Sequence, residues 1–343
     1  MTRMRFIRPA ACLLAALGAL SALSRGAAAD EDRVWFAPAP GSLDYIRLFQ
    51  APSEWPAALR VIDVFKFYQQ HTHLRPNAIV GPNTYEALAQ AGAFRLLTRT
   101  WGKRIALEVG AVKEFYCTTD ARGMQDAVQA TLDSIAAVTR GGGRVSYLAM
   151  DEPFLAGLSP QCGGPSLVPT ADRLSIYMKA VRRVYPAIRV GLIEAYPSFT
   201  PEQFSEMLQL MQARGILPAF LHADVDLRAM RPGIDDFARD MRLLATSAAS
   251  RRLAFGIIIW GDNGNADALY AADATNLQEA VKATFGSRHL LPEHIIIQSW
   301  AESSLGLRIT PNNLPEDRPN THTELLMRFF LRLFASRSRA DGG

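Results

Sequence analysis

The sequence predicts a single-domain α/β fold, a (β/α)8 TIM barrel, on three observations. Eight short apolar runs alternate with helical segments at spacings of roughly 30 to 45 residues. The runs are nearly continuous in apolar residues and rich in β-branched and aromatic side chains, as buried parallel strands are. No glycine-rich fingerprint follows the first run, which disfavours an open dinucleotide-binding sheet.

The elements follow in order along the chain. Strands are predicted over residues 34–38, 61–68, 105–111, 145–150, 189–194, 218–222, 253–260 and 294–300. Helices are predicted over 81–88, 124–138, 172–184, 200–213, 234–247, 266–285 and 321–334. Thr200-Pro201 is a typical helix start, Gly215 a typical helix end, and Asn83 or Thr84 is expected to cap the first of these helices.

The first 29 residues read as a cleaved secretory signal peptide. A basic start precedes an apolar run from Ala11 to Leu23, and a small-residue Ala-x-Ala site ends at Ala29. At about 13 residues this run is shorter than the roughly 20 that span a bilayer. We therefore expect cleavage after Ala29, a periplasmic or secreted protein, a barrel over 30–335 and a flexible polar tail over 336–343.

Removing this leader changes the charge balance. The whole chain has 37 Lys+Arg and 33 Asp+Glu, and the leader contains four arginines and no acid, so the mature chain is formally neutral. Composition therefore favours neither nucleic-acid binding nor attachment to an anionic membrane, and predicts no membrane insertion after cleavage. Cys117 and Cys162 remain, in consecutive loops, and an oxidising compartment predicts a disulfide between them. No cofactor is predicted, and the oligomeric state is left open.

Acidic and aromatic side chains follow the predicted strands at their carboxyl ends, where parallel α/β folds place their sites. By strict alternation, Glu152 is expected to share a face with Met150, and Trp260 with Asp262. Flat rings and carboxylates at one rim suit a sugar. The acids are Asp151, Glu152, Glu194, Asp224, Asp226, Asp262 and Glu302, and the aromatics are Phe115, Tyr116, Phe154, Tyr196, Trp260 and Trp300.

The ending Met150-Asp151-Glu152-Pro153 resembles the Asn-Glu-Pro ending of strand four in the retaining (β/α)8 glycoside hydrolases of clan A. The resemblance implies that Glu152 is the acid/base and that Trp300, on strand eight, lies in the sugar site. Two departures stand out. Asp151 replaces the asparagine that helps to hold the substrate's 2-hydroxyl, and Asp262 follows strand seven where that clan has a nucleophilic glutamate.

The sequence thus predicts an exported glycoside hydrolase acting on a polysaccharide or oligosaccharide through two carboxylates. The first is Glu152; its partner is Asp262, or else Glu194 or Glu302. Asp224 and Asp226, taken singly, are interpreted as capping or loop residues. The residues expected to bind substrate are Asp151, Trp260, Trp300, Tyr196, Lys66 and Gln298.

Two other classes of protein remain open. The same rim without a working carboxylate pair would make a non-catalytic glycan-binding barrel. The pair His71 and His73 with His222 is similar to the metal entry of amidohydrolase-type barrels, although most of that family's ligands are missing. Lys66, inside an apolar strand, would be a Schiff-base nucleophile, the partner of a rim acid such as Glu108, or a contact to a ligand hydroxyl.

Overall fold

The chain folds as a closed barrel of parallel strands in the order β1 to β8. A computed structural model describes residues 32–74, 78–113, 121–159, 162, 166–286, 291–300 and 310–334. Each strand pairs in parallel with the next, and β8 closes on β1 through Val34–Ala37 against Ile295–Gln298. The predicted (β/α)8 TIM barrel is confirmed.

All eight predicted strands are present, with small shifts at their ends. The second begins at Val64 rather than at Val61, because Pro56–Val61 forms a helix. The strand bounds are β1 Val34–Ala37, β2 Val64–Tyr68, β3 Arg104–Val109, β4 Val145–Asp151, β5 Arg189–Tyr196, β6 Phe220–Val225, β7 Ala254–Ile259 and β8 His294–Gln298.

Helices cover the outside of the barrel. Thr84 caps α3 through its side chain, whereas Asn83 donates to the carbonyls of Pro40 and Ser42. Thr200 and Gln203 form a capping box at the start of α8. The bounds are α1 Arg47–Gln50, α2 Pro56–Val61, α3 Tyr85–Gln90, α4 Ala93–Arg95, α5 Ala121–Arg140, α6 Pro153–Gly157, α7 Val168–Val184, α8 Pro201–Ala213, α9 Phe237–Ser250, α10 Asp267–Phe285 and α11 His322–Phe334.

Bulky rings fill the interior of the barrel at the amino-terminal ends of its strands. Trp35 lies within 5.5 Å of the ring centroids of Tyr147, Phe220, His222 and His294. All of these side chains are buried. With that end closed by packing, the open space of the barrel lies at the carboxyl ends of the strands.

A larger apolar layer lies between the strands and the surrounding helices, and it contains Leu148, Met150 and Tyr196. Strand residues that point outward enter this layer, and those that point inward face the barrel axis. Among the helices in the described ranges, none has both the length and the hydropathy of a membrane span.

Candidate active site

The carboxyl ends of the strands surround a cleft of about 680 Å³. Carboxylates and aromatic rings from several different strands reach it, so the acidic and aromatic rim expected from the sequence exists. Its walls comprise Pro40, Tyr68, Gln70, Ile79, Glu108, Val109, Gly110, Lys113, Asp151, Glu152, Ile193, Ala195, Tyr196, Pro197, Ser198, Asp224, Asp226, Ala229, Trp260, Gln298 and Trp300.

A buried ion pair forms the floor of the cleft on one side. Lys66 is fully buried and donates to Glu108 and to the side-chain oxygen of Gln298. Gln298 in turn donates to Glu108 at 3.1 Å, so the three side chains form a closed network. Burial raises the pKa of Glu108, and the Lys66 ammonium opposes that rise. Lys66 therefore pairs with a rim acid, as one of its three sequence interpretations predicts.

Glu152 lies at the end of β4 with its side chain in the cleft. Its backbone is left-handed (φ 43°), a strained conformation for a residue with a side chain and one that concentrates at functional sites. The Lys113 ammonium donates to Asp151 at 2.7 Å and to Glu152 at 3.1 Å. Burial raises the pKa of Glu152, Asp151 adds to that rise, and Lys113 opposes it.

The left-handed turn corrects the expectation from strict alternation. Met150 and Leu148 pack against the helices, but Glu152 does not follow them. The strand ends at Asp151, and the positive φ at the next residue turns the Glu152 side chain back toward the cleft. Lys113 had no sequence signal beyond its position four residues after β3.

Glu194 is buried below the cleft wall rather than exposed in it. Its carboxylate accepts the backbone amides of Phe154 at 2.7 Å and Leu155 at 3.1 Å, in the first turn of α6. Burial raises the pKa of Glu194, and the Phe154 amide opposes that rise. This geometry holds the segment that follows Glu152, and Glu194 is not among the residues that line the cleft.

Asp262, the first choice of partner, lies on the far side of the cleft wall. Its carboxylate pairs with Arg228, and both side chains line a separate pocket of about 150 Å³. The strand ends at Ile259, and at Gly261 a side chain would meet the backbone oxygen of Tyr270 at 2.1 Å. The chain therefore turns toward α10, and Asp262 lines the separate pocket together with Trp260 but does not line the cleft.

Asp224, on β6, lines the same cleft as Glu152, with only β5 between their two strands. Burial raises its pKa well above the usual value, and the next cause is the charge of Glu152. Its Oδ1 atom is buried and has no hydrogen-bond partner among the residues that the structure describes. Asp226, two residues on, accepts the amides of Arg228 and Ala229 and thus caps a short turn, as expected. The sequence pattern placed Asp224 at a strand end, but gave no reason to prefer a role in the cleft over a role in capping a turn.

The two tryptophans expected to bind substrate lie together. The ring centroids of Trp260 and Trp300 are 4.4 Å apart, and both rings line the cleft. Tyr196 also reaches the wall, but its ring is buried and its hydroxyl donates to Asp240 at 2.8 Å, away from the cleft. Phe154 is fully buried in the outer layer.

Some expected residues lie outside the part of the chain that the structure describes. These include Cys117 and Glu302, the rings of Phe115 and Tyr116, the leader and the tail. Cys162 is half-buried and packs against the outer apolar layer. The bridge from Cys162 to Cys117 remains a prediction, as does the role of Glu302.

The histidines do not assemble as the metal-site alternative requires. His71 accepts the Tyr68 amide at Nδ1, and its Nε2 is 3.2 Å from the carbonyl oxygen of Pro40. Burial lowers the pKa of His71 to about 3. His222 pairs with His294 inside the barrel, in a different layer of the fold. Within the described residues, no group of three or more His, Cys, Asp or Glu side chains is arranged to hold a metal ion.

Solved structures with similar barrels include several carbohydrate-cleaving enzymes. The GH53 catalytic domain of Ignisphaera aggregans is 10% identical, with a TM-score of 0.54 over 90% of this chain and 98% of that one. A thermostable mutant of a xylanase from Cellvibrio japonicus is 11% identical, with a TM-score of 0.53 over 88% and 97%. Active domain 2 of a chitinase from Pyrococcus furiosus is 13% identical, with a TM-score of 0.50 over 87% and 95%.

These likenesses establish the architecture, because identities this low carry the fold alone. Neither models of known protein families nor curated protein sequences match the chain. The resemblance to (β/α)8 glycoside hydrolases, seen first in the ending of β4, is therefore confirmed at the level of the fold. Function has to be argued from the cleft itself.

Proposed function

We propose that the protein is an exported glycoside hydrolase that cleaves a polysaccharide or oligosaccharide between Glu152 and Asp224. The observation that carries the proposal is the presence of these two carboxyl groups in one cleft, beside the Trp260–Trp300 pair. Aromatic rings stack on sugar faces, and a carboxyl pair is the recurring apparatus of glycosidic cleavage. Two of the proteins with similar barrels are named as a xylanase and a chitinase, and a polysaccharide or oligosaccharide substrate agrees with those names.

Glu152 protonates the leaving oxygen in this mechanism. It extends from the end of β4 into the open cleft, and burial together with Asp151 raises its pKa, as a proton donor requires near neutral pH. Asp224 is the second carboxylate, acting on the anomeric carbon directly or through a water molecule. Asp224 thus takes the place for which Asp262, Glu194 and Glu302 were the sequence candidates.

Lys113 positions Glu152 and Asp151 relative to each other. It contributes charge-assisted hydrogen bonds to both carboxylates. Glu194 fixes the following turn from below. The substrate-binding surface consists of Asp151, Trp260 and Trp300, whereas Lys66 and Gln298 shape the floor.

The test is a panel of oligosaccharides of different linkages, with product stereochemistry followed by NMR. The Glu152→Gln variant should lose at least about 100-fold in kcat/KM, the usual contribution of a general acid. Glu206→Gln, the same chemical change on the exposed face of α8, is the matched control and should keep full activity. Full activity of Glu152→Gln would overturn the assignment.

The second candidate is a non-catalytic glycan-binding barrel. The ion pair between Lys113 and Glu152 favours it, because an ammonium beside a carboxylate stabilises the ionised form, which cannot donate a proton. Binding of an oligosaccharide without release of any product by the wild-type protein would establish this alternative.

Export has its own test. Expression of the full chain in a bacterium that exports proteins should place the protein outside the cytoplasm, with Asp30 as the first residue by mass spectrometry. Alkylation before and after reduction should then show that Cys117 and Cys162 react only after reduction. Retention of the leader, or two freely alkylated thiols, would contradict these expectations.

A further inference from the structure

The cleft has two halves that differ in their balance of charge. On the side of β2 to β4, every carboxylate has an ammonium partner. Glu108 pairs with Lys66, while Asp151 and Glu152 pair with Lys113. In this half, the ion-paired half, three carboxylates share two ammonium groups, so most of the negative charge is compensated before any ligand arrives.

The other half is formed by Asp224 on β6, Trp260 after β7 and Trp300 after β8. Within the described residues Asp224 has no salt bridge or hydrogen bond, and its Oδ1 atom is buried without a partner. The guanidinium nearest in sequence, Arg228, pairs with Asp262 and lines the separate pocket instead. We call this the aromatic half; it contains the carboxyl groups of Asp224 and Asp226 and two indole rings, but no cation among the residues described.

A buried acceptor without a donor costs free energy, so a ligand group that donates a hydrogen bond to Asp224 would remove that cost. Ammonium groups satisfy both features of the aromatic half. A carboxylate forms strong charge-assisted hydrogen bonds with an ammonium, and tryptophan attracts a cation placed over its ring face. A uronic acid would bring a third negative charge beside Asp224 and Glu152, which Coulomb repulsion disfavours.

We propose that the substrate is an amino-sugar glycan with free, non-acetylated amino groups, and that Asp224 and the Trp260–Trp300 pair bind the ammonium. This proposal depends on the proposed function for the identity of the ligand as a glycan. It goes beyond that function by naming the charge of the sugar.

A bound ammonium would also favour the protonation states that cleavage needs, with Asp224 ionised and Glu152 protonated. In a 2-amino sugar the amino group lies on the carbon next to the anomeric carbon, so the carboxylate that reaches one lies near the other. A cation beside Asp224 favours its ionised form and leaves Glu152 as the protonated member of the pair. The charges that face Asp224 are those of Glu152, Glu108, Asp151 and Lys66.

The bonds then balance as in ordinary glycoside hydrolysis. The proton of Glu152 moves to the glycosidic oxygen, and the bond from that oxygen to the anomeric carbon breaks with its electron pair on the leaving oxygen. A new bond to the anomeric carbon forms either from water that Asp224 deprotonates, after which solvent returns the proton to Glu152, or from Asp224 itself. In the second case the ionised Glu152 then takes a proton from a water molecule, whose oxygen displaces the Asp224 carboxylate from the anomeric carbon and restores both groups. Either route consumes one water molecule. The negative charge of the cleft offsets the repulsion between the ammonium and the positive charge that develops on the anomeric carbon.

The experiment compares pairs of oligosaccharides that differ only in N-acetylation. Glucosamine and N-acetylglucosamine tetramers, in β-1,4 and β-1,6 series, are titrated calorimetrically into the Glu152→Gln variant, which prevents turnover. We expect the free-amino form to bind at least about tenfold more tightly, roughly 1.4 kcal/mol, with the advantage falling as salt is added. The double variant Glu152→Gln/Asp224→Asn should lose that preference, while Glu152→Gln/Asp126→Asn, changed on the exposed face of α5, keeps it.

A second variant tests the ammonium site independently, in case Asp224→Asn prevents the protein from folding. Trp300→Leu keeps apolar bulk but removes a ring face, so it should reduce the preference for the free amine severalfold. Equal or tighter binding of the acetylated tetramer would overturn the proposal. So would a preference that survives Asp224→Asn.

Failure of this inference is distinguishable from failure of the proposed function. If the wild-type protein cleaves neutral oligosaccharides with no preference for free amines, the amino-sugar proposal fails and the hydrolase stands. If free-amino tetramers bind with the expected preference but no glycan of either kind is cleaved, the ammonium site stands and the hydrolase fails.

Discussion

Replacing Lys66 by methionine tests whether the ammonium below the cleft neutralises Glu108. Methionine has nearly the length of the lysine stem, so the substitution removes the charge with little change in packing. The Lys66 side chain is fully buried and that of Glu108 is 10% exposed, so water cannot replace the lost partner.

Removal of one member of a buried ion pair typically costs about 3–5 kcal/mol, because the other charge is left uncompensated. Gln298 still donates to Glu108 at 3.1 Å and offsets part of the loss. We therefore expect Lys66→Met to lower the free energy of unfolding by about 3 kcal/mol. The double variant Lys66→Met/Glu108→Gln should recover at least about 2 kcal/mol of that loss, since it removes both charges.

The assay is equilibrium unfolding in urea, with Lys282→Met as the control for the same substitution at a half-exposed lysine. The control should change stability by less than about 0.5 kcal/mol. A cost below about 1 kcal/mol for Lys66→Met, or a double variant no more stable than the single one, would refute the neutralisation of Glu108 by Lys66.

The pH dependence gives an independent check on the same pair. Burial raises the pKa of Glu108, and loss of Lys66 removes the charge that opposes this rise. When folding raises the pKa of a carboxyl group, the protein is most stable at low pH, where that group is protonated in both states. The protein then loses stability as the pH rises through the folded-state pKa. The deficit of Lys66→Met should therefore be greatest near neutral pH and shrink as the solution is acidified.

Three further predictions concern the cleft. Lys113→Met should raise the pKa of Glu152 and thereby move the alkaline limb of the pH profile of kcat/KM to higher pH. The free energy of unfolding should change by less than about 1 kcal/mol. Glu194→Gln places an amide donor against one backbone amide of α6 and loosens the turn after Glu152, so kcat should fall about 100-fold while the protein stays folded. Trp300→Ala should raise KM about tenfold with a smaller change in kcat, as measured on the best oligosaccharide of the panel.

Each of these predictions has a contradicting outcome. An unchanged pH profile in Lys113→Met would mean that Lys113 does not control the protonation of Glu152. Full kcat in Glu194→Gln would remove its positioning role, and an unchanged KM in Trp300→Ala would place the sugar elsewhere in the cleft. Glu206→Gln serves as the exposed control for the Glu194 substitution.

The position of the site at one edge of the barrel was predictable because it depends on local patterns. Buried parallel strands are apolar on both faces, so eight runs such as Val145–Met150 are visible in the sequence. An acid at the end of such a run marks the carboxyl edge, where Glu152 and Asp224 are found. The pairing of Lys66 with Glu108 was also foreseen, since a buried lysine needs a carboxylate nearby.

The side to which each acid points was not predictable, because alternation holds only while the chain remains a strand. Glu152 leaves β4 in a left-handed conformation and turns into the cleft. Gly261 lies close to the backbone of Tyr270, and the residue after it, Asp262, therefore points away from the cleft.

The amino-acid sequence by itself determined the barrel, the apolar strands and the edge at which the acids gather, because strand periodicity and the cost of burying charge act over a few neighbouring residues. The tertiary structure alone decided which carboxylates share the cleft. Glu152 and Asp224 are 72 positions apart in the chain, and their charges interact because parallel pairing places β4 and β6 on either side of β5, with both carboxyl ends at the same opening.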